Sequence, residues 1–245
     1  MRTAIPARYA GVSLERNPIM GMDRAVIEHV RDFIRNVDER LDSGAGLWFH
    51  GDVGTGKTSL AMVVLRAAID AGRSVAIYSV PGLLAELRNT FDRDSGDSYL
   101  ELFRRLCAVD VLLLDDLGSE KASDWVLEQL YSVINERWQN QTAVIVTSNN
   151  PEPSRAAPAR ALRDALQSVR RLKADGAGSD RLLAAFGQLE AAAGDLETTG
   201  FALDDADPVR LLRERVGWRT VSRLIEICGD PILIMGRDLR IAAQP

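Results

Sequence analysis

Residues 47–60 read LWFHGDVGTGKTSL. The first three, Leu47-Trp48-Phe49, are apolar and predict a strand. Gly51 to Thr58 then fits the pattern G-x-x-x-x-G-K-[ST] without a mismatch. From Leu60 to Ala68 apolar residues recur at helical spacing, so a helix is expected to begin near Gly56. A phosphate cradle needs that order. Glycines let backbone N–H groups turn inward around an anion, and a helix N-terminus adds its dipole and its unpaired N–H groups. Gly51, Asp52, Val53, Gly54, Thr55, Gly56, Lys57, Thr58 and Ser59 are therefore the expected nucleotide-binding residues. Lys57 is expected at the β- and γ-phosphates, and the Thr58 hydroxyl at a Mg²⁺ ion. A glycine-rich strand–helix turn with no ligand is the competing reading. The strand before the loop and the helix after it favour ATP.

Outward from this loop the chain alternates strand and helix. Upstream, residues 1–21 form an irregular lead-in containing Pro6, Gly11 and Pro18. Asp23 can cap a helix running to Leu41, with Val26, Ile27, Val30, Phe33, Ile34 and Val37 on one face. Downstream, Gly72 stops the loop's helix and Ser74–Val80 reads as a strand. Pro81 opens a helix through Leu83, Leu84, Leu87 and Phe91, and Tyr99–Leu106 is a second, short one. Val109–Leu117 is an apolar strand that finishes in Asp115 and Asp116. Ser123 or Asp124 caps the next helix, and Thr142–Thr147 is again an apolar strand, followed by Ser148-Asn149-Asn150. Strands that are apolar throughout and separated by helices indicate a parallel sheet covered on both faces. In such sheets the ligand lies at the carboxyl ends of the strands. The loop, the two aspartates and Asn149 all fall there.

The stretch 151–208 differs in character, being rich in Ala, Arg and Asp. Two helical patterns, Ala159–Ala174 and Ser179–Ala193, flank Gly176-Ala177-Gly178 and predict a helical hairpin inserted before the last helices. Val209–Val216 and Arg219–Cys228 follow as helices, and Ile232–Met235 as a last short strand. The expectation is one domain over 1–245. It is an α/β P-loop NTPase of three-layer sandwich type, with a parallel central sheet and no C-terminal lid.

The chain has 245 residues and a formal net charge of −5, so it is not a uniformly basic nucleic-acid binder. Any such contact must come from a local patch. Cys107 and Cys228 lack metal-type spacing and read as free thiols in a reducing compartment. The N-terminus lacks an apolar leader, and no apolar run reaches the ~20 residues of a membrane span. A cytoplasmic protein is expected.

The acids complete the chemistry. The first carboxylate after an apolar strand, Asp115, suits Mg²⁺; the second, Asp116, suits activation of an attacking water. Asn149, one strand on, can bridge the γ-phosphate and that water. Taken singly, Asp115-Asp116 and Asn149 could equally be a solvated turn and an Asx turn. Arg219 and Arg223, one helical turn apart, could stabilise a transferring phosphoryl group or simply form a surface pair.

These residues together resemble the DnaC/IstB-like branch of the AAA+ ATPases, which comprises bacterial helicase loaders and transposition helper ATPases. The matches are GDVGTGKTSLA, VDVLLLDDLGSEKASDW, TSNN, RVGWRTVSRLIE and GRDLR, over about Met22–Asn150 and Glu214–Arg240. The resemblance implies Walker A at Gly51–Thr58, Walker B at Asp115 and Asp116, and sensor 1 at Asn149. It places an arginine acting on a neighbouring subunit at Arg223, with Arg219 as second candidate. Leu83–Leu106 looks like the insertion that touches single-stranded DNA, with Arg88, Arg93, Arg104 and Arg105 as contacts. Two departures are expected: the core starts without the loaders' N-terminal helicase-gripping domain, and 151–208 is longer than the family's segment.

The implied function is ATP hydrolysis, slow because Asp116 is shorter than the usual Glu and stimulated by assembly or DNA. The protein would act as an oligomer on single-stranded DNA or a replicative helicase. The alternative is an ATP-dependent switch assisting a transposase. A metabolic P-loop kinase is disfavoured by the missing substrate lid and the arginine motif.

Overall fold

The structure is a computed structural model of the chain. It describes residues 5–16, 19–91, 96–119, 123–149, 165–166, 168–174, 176, 178–199, 208–236 and 238–239. The chain divides into two compact units, Met1–Asn149 with Leu212–Pro245, and Asn150–Leu211.

The first unit is built on five strands: β1 (Leu47–Gly51), β2 (Val75–Ser79), β3 (Val111–Leu117), β4 (Ala143–Asn149) and β5 (Ile232–Ile234). They form one sheet in the order β2-β3-β4-β1-β5, and every neighbouring pair is parallel. The reason is visible in the strands themselves. Leu47, Trp48, Phe49, Val111–Leu114 and Ala143–Val146 are all buried, so neither face of the sheet can meet water. Alternate residues serve opposite faces. Leu47, Phe49, Val75, Ile77, Val111, Leu113, Ala143 and Ile145 join one core cluster. Its other members are Leu14 and Ile19 from the segment before the first long helix, Ile234 of β5, and residues of α1 (Arg24–Arg35), α2 (Val37–Asp42) and α3 (Lys57–Asp70). The opposite face packs against α4 (Val80–Phe91), α6 (Asp124–Gln139) and α9 (Trp218–Cys228), and α5 (Gly96–Ala108) packs on α4 and α6. Two further helices are α7 (Ser179–Thr199) and α8 (Pro208–Val216).

Local signals act as expected at several ends. The Asp23 carboxylate accepts the Ala25 N–H at 2.8 Å, and the Ser123 hydroxyl accepts the Val126 N–H at 3.4 Å. The single helix expected over Asp23–Leu41 instead breaks at Asn36, whose backbone leaves the helical region (φ −111°, ψ 29°). The Asn36 side-chain amide donates to the Asp32 carbonyl at 3.0 Å, beside the Asn36 backbone N–H at 3.2 Å, a local side-chain bond that competes with continuing the helix.

One fold determinant has no sequence cue. Arg137, in the last turn of α6, is completely buried. Its guanidinium donates to the carbonyls of Leu106, Val109, Asp110 and Ala143 at 2.7–3.1 Å. It thereby joins the end of α5 and the turn leading into β3 to the first residue of β4. Burial pushes its pKa down to about 10.

In the second unit, Ala165, Val169, Ala185 and Ala192 are buried, whereas Leu183 and Phe186 are exposed. Of the first arm expected for the hairpin, residues 165–166 and 168–174 are helical, and 159–164 and 167 lie outside the described residues. Among the described residues, no helix is long and apolar enough to cross a membrane.

Candidate functional site

The strand order sets β3, β4 and β1 side by side and parallel. Their carboxyl ends therefore converge, bringing Asp115, Asp116, Asn149 and the loop after Gly51 to one edge. They line a cleft of about 590 Å³ that includes Val53, Gly54, Gly56, Lys57, Thr58, Ser59, Asp115, Asp116 and Asn149.

The loop is shaped by its glycines. Gly54 and Gly56 have φ of +81° and +90°, a region that side chains disfavour. A Cβ on Gly54 would run into the Asp238 carboxylate, and one on Gly56 into the Met22 methyl, so those side chains would have to shift. The Thr55 hydroxyl donates to the Asp52 carbonyl at 2.8 Å and closes the turn. The buried Lys57 ammonium donates to the carbonyls of Gly51 at 3.1 Å and Asp52 at 2.5 Å, so it is held under the loop that it serves. Gly56 is the N-cap of α3, which puts the helix's unpaired N–H groups at the cleft.

The acids are positioned by an irregularity that sequence reading missed. Between Leu114 and Leu117 the register of β3 against β4 slips, giving β3 one extra residue. Asp116 takes the left-handed conformation there, φ +61°. A hydrogen-bonded chain results. The Thr58 hydroxyl donates to Asp115 Oδ1 at 2.9 Å, and the Thr147 hydroxyl donates to the same oxygen at 2.7 Å. Thr147 Oγ1 also accepts the Asp116 N–H at 2.9 Å, and the Asn149 amide donates to Asp116 Oδ1 at 2.9 Å. Burial pushes the Asp115 carboxyl above its usual range. The Thr147 and Thr58 hydroxyls and Lys57 pull it back, while Asp116 pushes it further up.

Thr147 is a member of this chain that the sequence did not announce. So are Arg8, Tyr9, Val12 and Leu239, which line the same cleft. The Leu239 N–H donates to the Gly54 carbonyl at 2.9 Å, so the segment after β5 lies on the loop. These residues come from either end of the chain and meet the loop only through the tertiary fold, and no spacing rule would find them.

The arginines stand elsewhere, and neither lines the cleft. Arg223 on α9 stacks at 3.5 Å over the Trp138 ring, donates to Glu226 at 2.8 Å and to Asn135 at 3.3 Å. Arg219 is exposed and lies over the exposed ring of Trp218. Of the arginines suggested for DNA, Arg88 on α4 is exposed over the Trp125 ring, and Arg104 and Arg105 are exposed on α5. Arg93 lies outside the described residues.

Comparison with known proteins bears on the family and the fold. The family model described as IstB-like ATP binding protein matches residues 35–156. The replicative helicase loader DnaI of Bacillus subtilis is 29% identical over 126 residues, 51% of this chain and 39% of DnaI. The replicative helicase loader DnaC of Escherichia coli K12 is 27% identical over 128 residues, 51% of each. The chain thus matches about half or less of the length of these curated relatives. Among solved structures, the crystal structure of the DnaC helicase loader superposes with a TM-score of 0.60 at 23% identity, covering 94% of this chain and 100% of that one. The replication initiator DnaA bound to AMPPCP and single-stranded DNA gives 0.50 at 17% identity, covering 90% of this chain and 66% of that one. At such identities the superpositions speak for the fold.

Proposed function

Because residues 35–156 of this chain are an IstB-like ATP-binding domain of the DnaC/IstB branch of AAA+ proteins, we propose that it hydrolyses ATP as an oligomer and loads or remodels a replicative helicase on single-stranded DNA. The observation that carries the ATPase reading is the bonded chain Thr58–Asp115–Thr147–Asp116–Asn149 beside the glycine loop. A hydroxyl and a carboxylate that already share a hydrogen bond, Thr58 and Asp115, are the oxygen donors that fit Mg²⁺. Mg²⁺ held there would supply positive charge to offset that of the phosphates. Lys57 takes the β- and γ-phosphates. Asp116 accepts the proton of the attacking water, and the Asn149 amide fixes the carboxylate that does so. Arg223 supplies the cation that develops contact with the transferred group from a neighbouring subunit, and Arg219 is the alternative. Arg88, Arg104 and Arg105 offer the DNA contacts.

The IstB-like match favours one further reading: ATP holds a conformation that docks a transposase, and turnover matters little. Steady-state ATP hydrolysis with and without single-stranded DNA separates the two. The loader reading expects turnover that rises with DNA. Lys57→Ala is expected to lose tight ATP binding while keeping the folded circular-dichroism spectrum, since its ammonium faces loop carbonyls and adds little to the core. Wild-type nucleotide affinity in that variant would end the P-loop assignment.

A further inference from the structure

The segment before α1 reaches into the cleft at its phosphate end. Tyr9 lines the cleft together with Thr58, Asp115 and Asp116, the groups at its phosphate end. The Arg8 guanidinium sits 4.9 Å from the centre of the Tyr9 ring, also within the cleft lining. The segment is fastened to the helix that carries the loop. Arg66, about two and a half turns along α3 from Lys57, donates through Nη2 to the carbonyls of Ala10 at 2.9 Å and Tyr9 at 3.3 Å.

The charges in this space are unbalanced. Asp115 and Asp116 face the cation Lys57, and a γ-phosphate would bring further negative charge. Arg8 is the other cation lining the cleft among its described residues, and it is exposed beside its aromatic platform. We propose that Arg8 and Tyr9 are γ-phosphate-reading residues of this site: Arg8 contacts the terminal phosphate from within the same subunit, and Tyr9 carries Arg8 and orients the Thr58 hydroxyl. This rests on the ATP-site reading above. It adds a discrimination between ATP and ADP that the Walker residues alone do not require. Arg8 contacts the nucleotide directly; Tyr9 is a positioning residue.

The test is a set of equilibrium titrations of the full chain with Mg-ATP and with Mg-ADP, using wild type, Arg8→Ala, Arg8→Lys, Tyr9→Phe and Lys57→Ala, each checked for an unchanged thermal melt. Loss of a charge-assisted contact to one phosphate should weaken ATP binding about tenfold in Arg8→Ala, with ADP binding changed less than about twofold, and Arg8→Lys should recover part of the loss. Tyr9→Phe keeps the platform and removes the hydroxyl. It should raise the Mg²⁺ concentration needed for half-maximal ATP binding while leaving metal-free nucleotide binding alone. Equal losses for ATP and ADP in Arg8→Ala, or no loss, would overturn the proposal while leaving the P-loop reading intact. A wild-type chain that binds neither nucleotide, or a Lys57→Ala variant that binds as wild type does, would instead remove the reading on which it rests, and the proposal with it.

Discussion

Asp115 shows what the site costs the fold. It is a carboxylate raised above its usual range by burial, with Asp116 beside it. A raised carboxyl stabilises the folded state below its unfolded pKa, near 3.8. That contribution is lost as pH rises through the folded value. At neutral pH, therefore, ionised Asp115 works against folding. Asp115→Asn keeps an oxygen that can accept from Thr58 and Thr147 and removes the charge. Its nucleotide-free melting temperature is expected to exceed that of wild type at pH 7, with the gap closing toward pH 4. A lower melting temperature at pH 7 would show that the charge is offset locally. Asp116 is a different case, since the role proposed for it lies in proton transfer. Asp116→Asn should keep ATP bound and stop turnover, because the amide preserves shape and lacks the base. Single-turnover hydrolysis by that variant at the wild-type rate would place the base elsewhere.

At the scale of elements, the sheet's lower edge depends on Arg137. It ties the end of α5 and the turn before β3 to the start of β4 through four carbonyls. A methionine would fill much of the volume and leave those acceptors unmet. Arg137→Met is expected to cost about 3 kcal/mol or more in denaturant unfolding. Arg137→Lys should recover little, since one ammonium cannot spread three donors over so wide a fan. A loss below about 1 kcal/mol for the methionine variant would mean that water replaces the guanidinium. The helix at the other end of the chain shows a related economy: α9 places Arg223 where Trp138, Asn135 and Glu226 all hold it.

For the whole molecule that restraint has a consequence. The Walker residues gather in one cleft, and Arg223 lies outside its lining. A subunit by itself should then bind ATP and turn it over poorly, and activity should rise more steeply than linearly with protein concentration. Arg223→Ala is expected to lose most turnover, about 10³-fold where such an arginine acts fully, with nucleotide affinity nearly intact. Mixing it with Asp116→Asn should restore part of the activity, since one mixed interface joins an intact Asp116 to an intact Arg223. Two inactive variants that co-assemble and never recover would show that Arg223 does not act across an interface.

The architecture was legible along the chain because its causes are local. Apolar runs such as Val111–Leu114 and Ala143–Val146 have no face to offer water, so they predict a parallel, doubly covered sheet wherever they occur. The loop Gly51–Thr58 and the strand-end residues Asp115, Asp116 and Asn149 follow from the same short-range logic, and all meet in the cleft. What the tertiary structure alone decided depends on distance across the fold. The extra residue in β3 that turns Asp116 to φ +61° arises from pairing with β4, and it is what lets Thr147 bond both aspartates. Arg137 became a core residue because four carbonyls from α5, the turn after it and β4 converge on it. Arg8, Tyr9 and Leu239 reached the loop from either end of the chain. Periodicity reports which side of an element is buried; it carries no information about which distant residue arrives there.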